Sequence, residues 1–143
     1  MVRETPNNVH ELRPKGADSE KITINLGFVD LGHIDLLVSE GFYSNRTDFI
    51  RTAIRNQLGR HGEAAAQSIA RRQLDLGLRR FTRADLEAAV RADEKLRIQV
   101  LGLAAIDADV TPELARTAIA SILVLGALQA STEVKAALAD RMT

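Results

Sequence analysis

The sequence predicts an α+β chain in which a strand–helix–helix segment forms an intertwined dimer and a short, solenoid-like strand–helix repeat follows. Three observations lead there. Lys21-Ile22-Thr23-Ile24-Asn25-Leu26 alternates polar and apolar residues, the period of a strand with one buried face. Two helical stripes follow within residues 28–58, separated by turn residues. Further on, Leu-Gly recurs at 76–77, 101–102 and 125–126.

Composition sets the outer limits. Of 143 residues, 45% are hydrophobic but only 3% aromatic, so any core is built from Ala, Leu, Ile and Val. That content excludes disorder over the whole chain. With no cysteine there is neither a disulfide scaffold nor a thiolate metal site, which suits a reducing cytoplasm. No apolar run reaches the roughly 20 residues of a membrane span, and no charged-then-apolar leader opens the chain, so the expectation is no membrane partner. Lys plus Arg and Asp plus Glu are both 19, and zero net charge argues against a generic polyanion binder.

Residues 1–19 hold Pro6, Pro14 and Gly16 without any period and read as a flexible arm. After the strand, Gly27 makes a turn, and Leu31, Ile34, Leu37 and Val38 recur at helical spacing until Gly41. Ser44 is the expected N-cap of the next helix, whose stripe is Phe49, Ile50, Ala53, Ile54 and Leu58. One strand of six residues cannot satisfy its own backbone. The economical solution is a second copy, giving an antiparallel two-stranded ribbon; the alternative is a strand further along the same chain.

Residues 21–58, from Lys-Ile-Thr-Ile-Asn-Leu through Ser-Asn-Arg-Thr-Asp-Phe-Ile-Arg-Thr-Ala-Ile, closely resemble the ribbon–helix–helix DNA-binding domain of MetJ-, Arc- and CopG-type proteins. The resemblance implies an intertwined dimer whose ribbon enters the major groove. Matched by position, Lys21, Thr23 and Asn25 point outward to read bases. Ile22, Ile24 and Leu26, with Ile34, Leu37, Phe49, Ile50 and Ile54, form the shared core. The chemistry fits: Lys donates to guanine, Asn bridges adenine N6 and N7, and Thr bonds a base or touches a thymine methyl. The start of the second helix, with Ser44, Asn45 and Arg46, is the expected phosphate anchor, a role compatible with plain capping. The turn Gly27-Phe28-Val29-Asp30 departs from the family in being apolar, which suggests a packing role for Phe28 and Val29.

Charge is segregated within this segment. The first helix carries Asp30, Asp35 and Glu40, while Arg46, Arg51, Arg55 and Arg60 stand against Asp48 alone in residues 41–61. A merely solvated charged helix gives the same run.

Residues 62–75 read as a connecting helix and 76–143 as a repeat domain, after an N-terminal DNA-binding domain over 20–61. Ile98-Gln99-Val100-Leu101-Gly102 and Ile122-Leu123-Val124-Leu125-Gly126 match at four of five positions. Phe81-Thr82, Ile106-Asp107 and Ala130-Ser131 lie at equivalent places, each an apolar residue followed by a capping type. Each unit then reads as strand, turn and helix, with strands stacking in parallel. An all-helical region with accidental Leu-Gly matches is the alternative. Few units and no polar terminal unit leave strand edges open, so Val100, Leu101, Val124 and Leu125 are expected at edges that associate with another copy.

His10, His33 and His61 are isolated, and no spacing nominates a catalytic set, a metal site or a nucleotide loop; neither enzyme chemistry nor a cofactor is expected. The functional expectation is a cytoplasmic, nucleoid-associated transcriptional repressor. Its partners are double-stranded DNA and itself, as a dimer and then a tetramer or higher oligomer. One alternative is the antitoxin of a toxin–antitoxin pair, with a toxin as partner of the C-terminal half. The other is a structural DNA organiser that forms filaments.

Overall fold

The computed structural model describes residues 19–143. The arm expected over residues 1–19 lies outside them except for Ser19. Contacts divide the chain into two units, one ending at Asn56 and one beginning at Gln57.

The first unit starts with residues 19–27, which form no regular element in the single chain. A strand is defined by its ladder, and these residues join no ladder among the described residues. Among those residues the sheet is made of three later strands, so the alternative of a strand partner further along the chain is not realised there. Helix α1 spans Phe28–Ser39. Its end follows from Gly41, whose φ of +88° a Cβ would oppose. There the Phe42 N–H donates to the Leu37 carbonyl and the Gly41 N–H to that of Val38, the paired bonds of a Schellman close. Helix α2 spans Arg46–Arg60. Tyr43 packs edge-to-face on Phe49, with ring centroids 5.0 Å apart, which fixes the chain's entry into this helix.

The second unit takes in the end of α2 from Gln57 and then helix α3, Gly62–Arg72, shorter than the 62–75 expected. It stops at Gln73, which adopts the left-handed conformation. Strand β1 (Asp75–Phe81), helix α4 (Arg83–Arg91), strand β2 (Leu96–Ile106), helix α5 (Pro112–Ala118), strand β3 (Ile119–Gln129) and helix α6 (Thr132–Ala137) follow. A 3₁₀ turn covers Ala139–Arg141. The strands overturn the all-helical alternative for this half.

All three strands are parallel, in the order β1-β2-β3. The register aligns Leu76 with Leu101 and Leu125, and Gly77 with Gly102 and Gly126. Each Leu-Gly pair therefore occupies the same level. The glycines are required by close approach. A Cβ on Gly102 would collide with the Gly77 carbonyl, and one on Gly126 with the Gly102 carbonyl. Both have positive φ, +139° and +125°.

Helices α4, α5 and α6 pack in sequence against one face of the sheet, enclosing Leu86, Ile98, Val100, Ile119, Val134 and Leu138. Thr82 starts α4 with a capping box: its hydroxyl accepts from the Asp85 N–H at 3.1 Å, and the Asp85 carboxylate accepts from the Thr82 N–H at 2.9 Å. Ser131 caps α6. The middle unit differs. Its cap is Thr111, with Pro112 as the first helical residue, while Asp107 receives both arms of Arg80, at 2.7 and 2.9 Å, from the preceding unit.

Of the two bare edges expected, β1 stays open among the described residues, and the β3 end is finished. At β1, Asp75 and Arg79 pair at 2.5 Å at the levels where β2 carries Val100 and Ala104. At β3, Met142 forms a parallel bridge with Ile122, and the Thr143 N–H donates to the Ile122 carbonyl at 2.9 Å. Arg116 holds this end through Asp140 and the Ala137 carbonyl, and Arg141 donates to the Arg116 and Ile119 carbonyls.

Candidate nucleic-acid interface

The outward triad Lys21, Thr23 and Asn25 lies on the exposed segment before α1. Its neighbours Ile22 and Ile24 are 72% and 59% exposed, and Leu26 and Ile54 are also bare in the single chain. Ile34 is buried, while Leu37, Phe49 and Ile50 are half-covered. The eight residues expected to form a shared core thus fall into two groups: α1 and α2 cover one, and nothing among the described residues covers the other. Phe28 and Val29, singled out for their apolar turn, are exposed as well.

The start of α2 is built differently from the sequence reading. The N-cap is Asn45, not Ser44: the Asn45 side-chain oxygen accepts from the Asp48 N–H at 2.8 Å. The Asp48 carboxylate reaches back to the Ser44 N–H at 2.9 Å. Ser44 therefore precedes the cap: Asp48, at the three-residue spacing from Asn45, donates its N–H to the Asn45 side chain, while its carboxylate accepts from the Ser44 N–H rather than from that of Asn45. That spacing was available in the sequence.

Arg46 is the second change. Its guanidinium meets the Asp35 carboxylate with two bonds of 2.8 Å, linking the two helices. The bonds from Arg46, and then its charge, hold the Asp35 carboxyl below its ordinary range, and the same pairing raises Arg46. The anchor Ser44, Asn45 and Arg46 thus contains one capping side chain and one neutralised arginine. Asp35 itself went unnoticed as a functional residue, although the acidic first helix beside the basic second one was its signal. Arg51, Arg55 and Arg60 are exposed on α2.

Of the four residues expected at associating edges, Val100 is fully enclosed within its own unit and Val124 packs partly against that core. Only Leu101 and Leu125 lie on the opposite side of the sheet. Strand alternation sends adjacent residues to opposite faces, so all four could not share one surface.

An alternating polar–apolar segment followed by two helices, the second capped and arginine-bearing, makes one known combination. The model of the Ribbon-Helix-Helix transcriptional regulator family matches this chain over residues 17–135. The chain belongs to that family. Regulators of this family bind DNA and dimerise, so the chain is a DNA-binding transcriptional regulator. The match continues through β1, β2 and β3, so the C-terminal unit belongs to what the family shares and extends well past residues 21–58. No curated protein and no solved structure matches the chain. No helix among the described residues is long and apolar enough to cross a membrane.

Proposed function

We propose that the chain is a sequence-specific repressor whose residues 21–26 pair with those of a second copy and enter the major groove. The observation that carries this reading is the alternation of that segment, with Ile22 and Ile24 bare in the single chain. Two such segments side by side bury those residues and leave Lys21, Thr23 and Asn25 for base edges. Phosphates then meet the first turn of α2, where the helix dipole favours an anion even with Asn45 engaged in capping.

The C-terminal unit reads as a short solenoid that joins dimers on repeated half-sites. Linked sites raise the effective concentration of each next dimer without new base contacts. Its extensive core disfavours a toxin-binding tail, since segments that fold on binding lack one.

Thr23→Ala or Asn25→Ala should cost about 1–3 kcal/mol of base discrimination and leave the dimer intact. Binding selection from a random DNA pool measures this directly. An unchanged preferred sequence would remove the ribbon from the readout. Footprinting separates the repressor from a filament-forming organiser: the proposal requires discrete protected sites rather than continuous spreading.

A further inference from the structure

Strand β1 ends the sheet, and among the described residues no strand pairs with its outer side. The ladder decides which backbone groups it offers there. The Gly77 carbonyl lies against Gly102, and the Phe81 carbonyl accepts from the Asp107 N–H, so the odd-numbered residues of β1 turn their groups toward β2. Successive residues alternate, and Leu76 and Leu78 turn theirs outward. Between them stands Gly77, whose φ of +114° matches the positive values of Gly102 and Gly126. At those two a neighbouring strand's carbonyl occupies the place of a Cβ, whereas at Gly77 nothing lies within 4 Å of that place. The segment around it, Asp75-Leu76-Gly77-Leu78-Arg79, is symmetric about the glycine except that an acid stands at one end and a base at the other. Asp75 and Arg79 share the side on which β2 carries the buried Val100 and Ala104, and Leu76 and Leu78 share the opposite side.

We propose that β1 pairs antiparallel with β1 of a second copy, about a two-fold axis at Gly77, and so joins one dimer to the next. This rests on the reading of the C-terminal unit as the part that joins dimers, and names the contact. Charge complementarity selects a copy of the chain as the occupant. In this register Asp75 faces Arg79 of the partner subunit on the helix side, and Arg79 faces Asp75 of the partner subunit. Opposite charges directly across a strand pair stabilise it and like charges destabilise it. A shift of two residues either way loses both pairs. The backbone agrees. Leu76 and Leu78 supply the hydrogen-bonded pairs, and Gly77 meets its counterpart at the non-hydrogen-bonded position, where Cα atoms come within about 4.5 Å. The two-fold contact closes on itself. A head-to-tail stack would instead need the outer side of β3, which Met142 and Thr143 finish at Ile122.

In the single chain Asp75 and Arg79 pair with each other at 2.5 Å, and both side chains stay about half exposed. Docking exchanges that partner for an identical one across the interface, so neither charge is left alone in either state. The helix layer leaves room beside the edge: Ala88 and Ala92 of α4 border a cavity of about 480 Å³ next to Arg79 and Phe81. Backbone hydrogen bonds carry a contact of this kind, as in other strand additions, while the facing side chains choose the partner. An antiparallel strand at the edge of a parallel sheet is a common arrangement.

The test uses the full chain. Light scattering should show the mass of the wild type doubling from dimer to tetramer as concentration rises. Asp75→Arg sets like charges opposite each other and should hold the protein at the dimer, as should Arg79→Asp. Mixed in equal amounts, the two variants should recover the doubling, because each supplies the charge the other lacks. A pair restored within one chain cannot explain that recovery, since neither variant carries both signs at these positions. A second measurement holds even if the variants fold poorly. The chain has no cysteine, so Leu78→Cys gives one thiol per subunit. Across the two-fold axis the two thiols are diagonal neighbours, about 7–8 Å apart, and a bismaleimide of that reach should link them. Leu103→Cys, one strand inward in the same row, should stay unlinked. A mixture of the variants that stays dimeric overturns the inference, as does equal linking at both positions, the result of sheets docked face to face. A wild type that remains a dimer at every concentration, as an edge reserved for a different protein would give, overturns it too. Single variants that fall to monomers would instead overturn the ribbon dimer and leave the β1 contact standing.

Discussion

Two uses compete for the guanidinium of Arg46. Its place in the first turn of α2 offers it to a DNA phosphate, yet Asp35 holds it with two bonds. Such an exposed pair contributes little to stability and is screened by salt. On the proposed docking its consequence for DNA is larger, because one positive charge near the phosphates is cancelled. Asp35→Asn should therefore tighten DNA binding and steepen the dependence of log K on log salt by about one per subunit. An unchanged slope in fluorescence anisotropy titrations would place Arg46 away from the phosphates. The same substitution reads out in acid. The folded-state pKa of Asp35 is depressed, so its stabilisation is present above the usual Asp value of about 3.9 and lost as pH falls through the folded value. The variant should accordingly show a shallower loss of stability below about pH 4. At this scale the sequence was only partly legible. Residue types at the site were readable, but the partners Asn45, Asp48 and Asp35 adopt depend on where α2 begins and how α1 lies beside it.

At the scale of elements, the Leu-Gly spacing was legible because the geometry admits no substitute. A carbonyl from one strand approaches the Cα of the next at Gly102 and again at Gly126, and both glycines have positive φ. Gly102→Ala should therefore cost more than the roughly 1–3 kcal/mol of backbone strain alone, since the Gly77 carbonyl must also move. A thermal melt of the variant should show a large drop in midpoint. A melt equal to that of the wild type would mean the strands do not stack in this register. The caps were harder to read. Thr82 and Ser131 sit where the repeat predicts, but residues 107–110 insert an extra turn before Thr111. Self-similarity tracks spacing and misses an insertion. The edge assignment of Val100 and Val124 had a simpler cause. Treating a run of apolar residues as one surface ignored the alternation that sends Leu101 and Leu125 to the opposite face.

For the whole molecule, the segregation of charge matters more than its zero sum. In each subunit Asp30 and Asp35 lie on α1 and Arg46, Arg51, Arg55 and Arg60 on α2, and one cross-helix pair already joins the two helices. On the proposed reading, weak general attraction for DNA leaves specificity to the side chains of residues 21–26 and strength to the number of dimers engaged. The family's reach to residue 135 agrees with an architecture in which both units serve one regulator. The ladder proposed for the N-terminal segment would place its hydrogen bonds between two chains, so neither the sequence nor a single chain displays it. Amide hydrogen exchange of the full-length dimer tests that ladder most directly. Pairing across two copies predicts slowed exchange at alternate amides between Lys21 and Leu26, lost on dilution to monomer. Exchange at the unprotected rate throughout that segment, in a sample shown to be dimeric, would contradict the account.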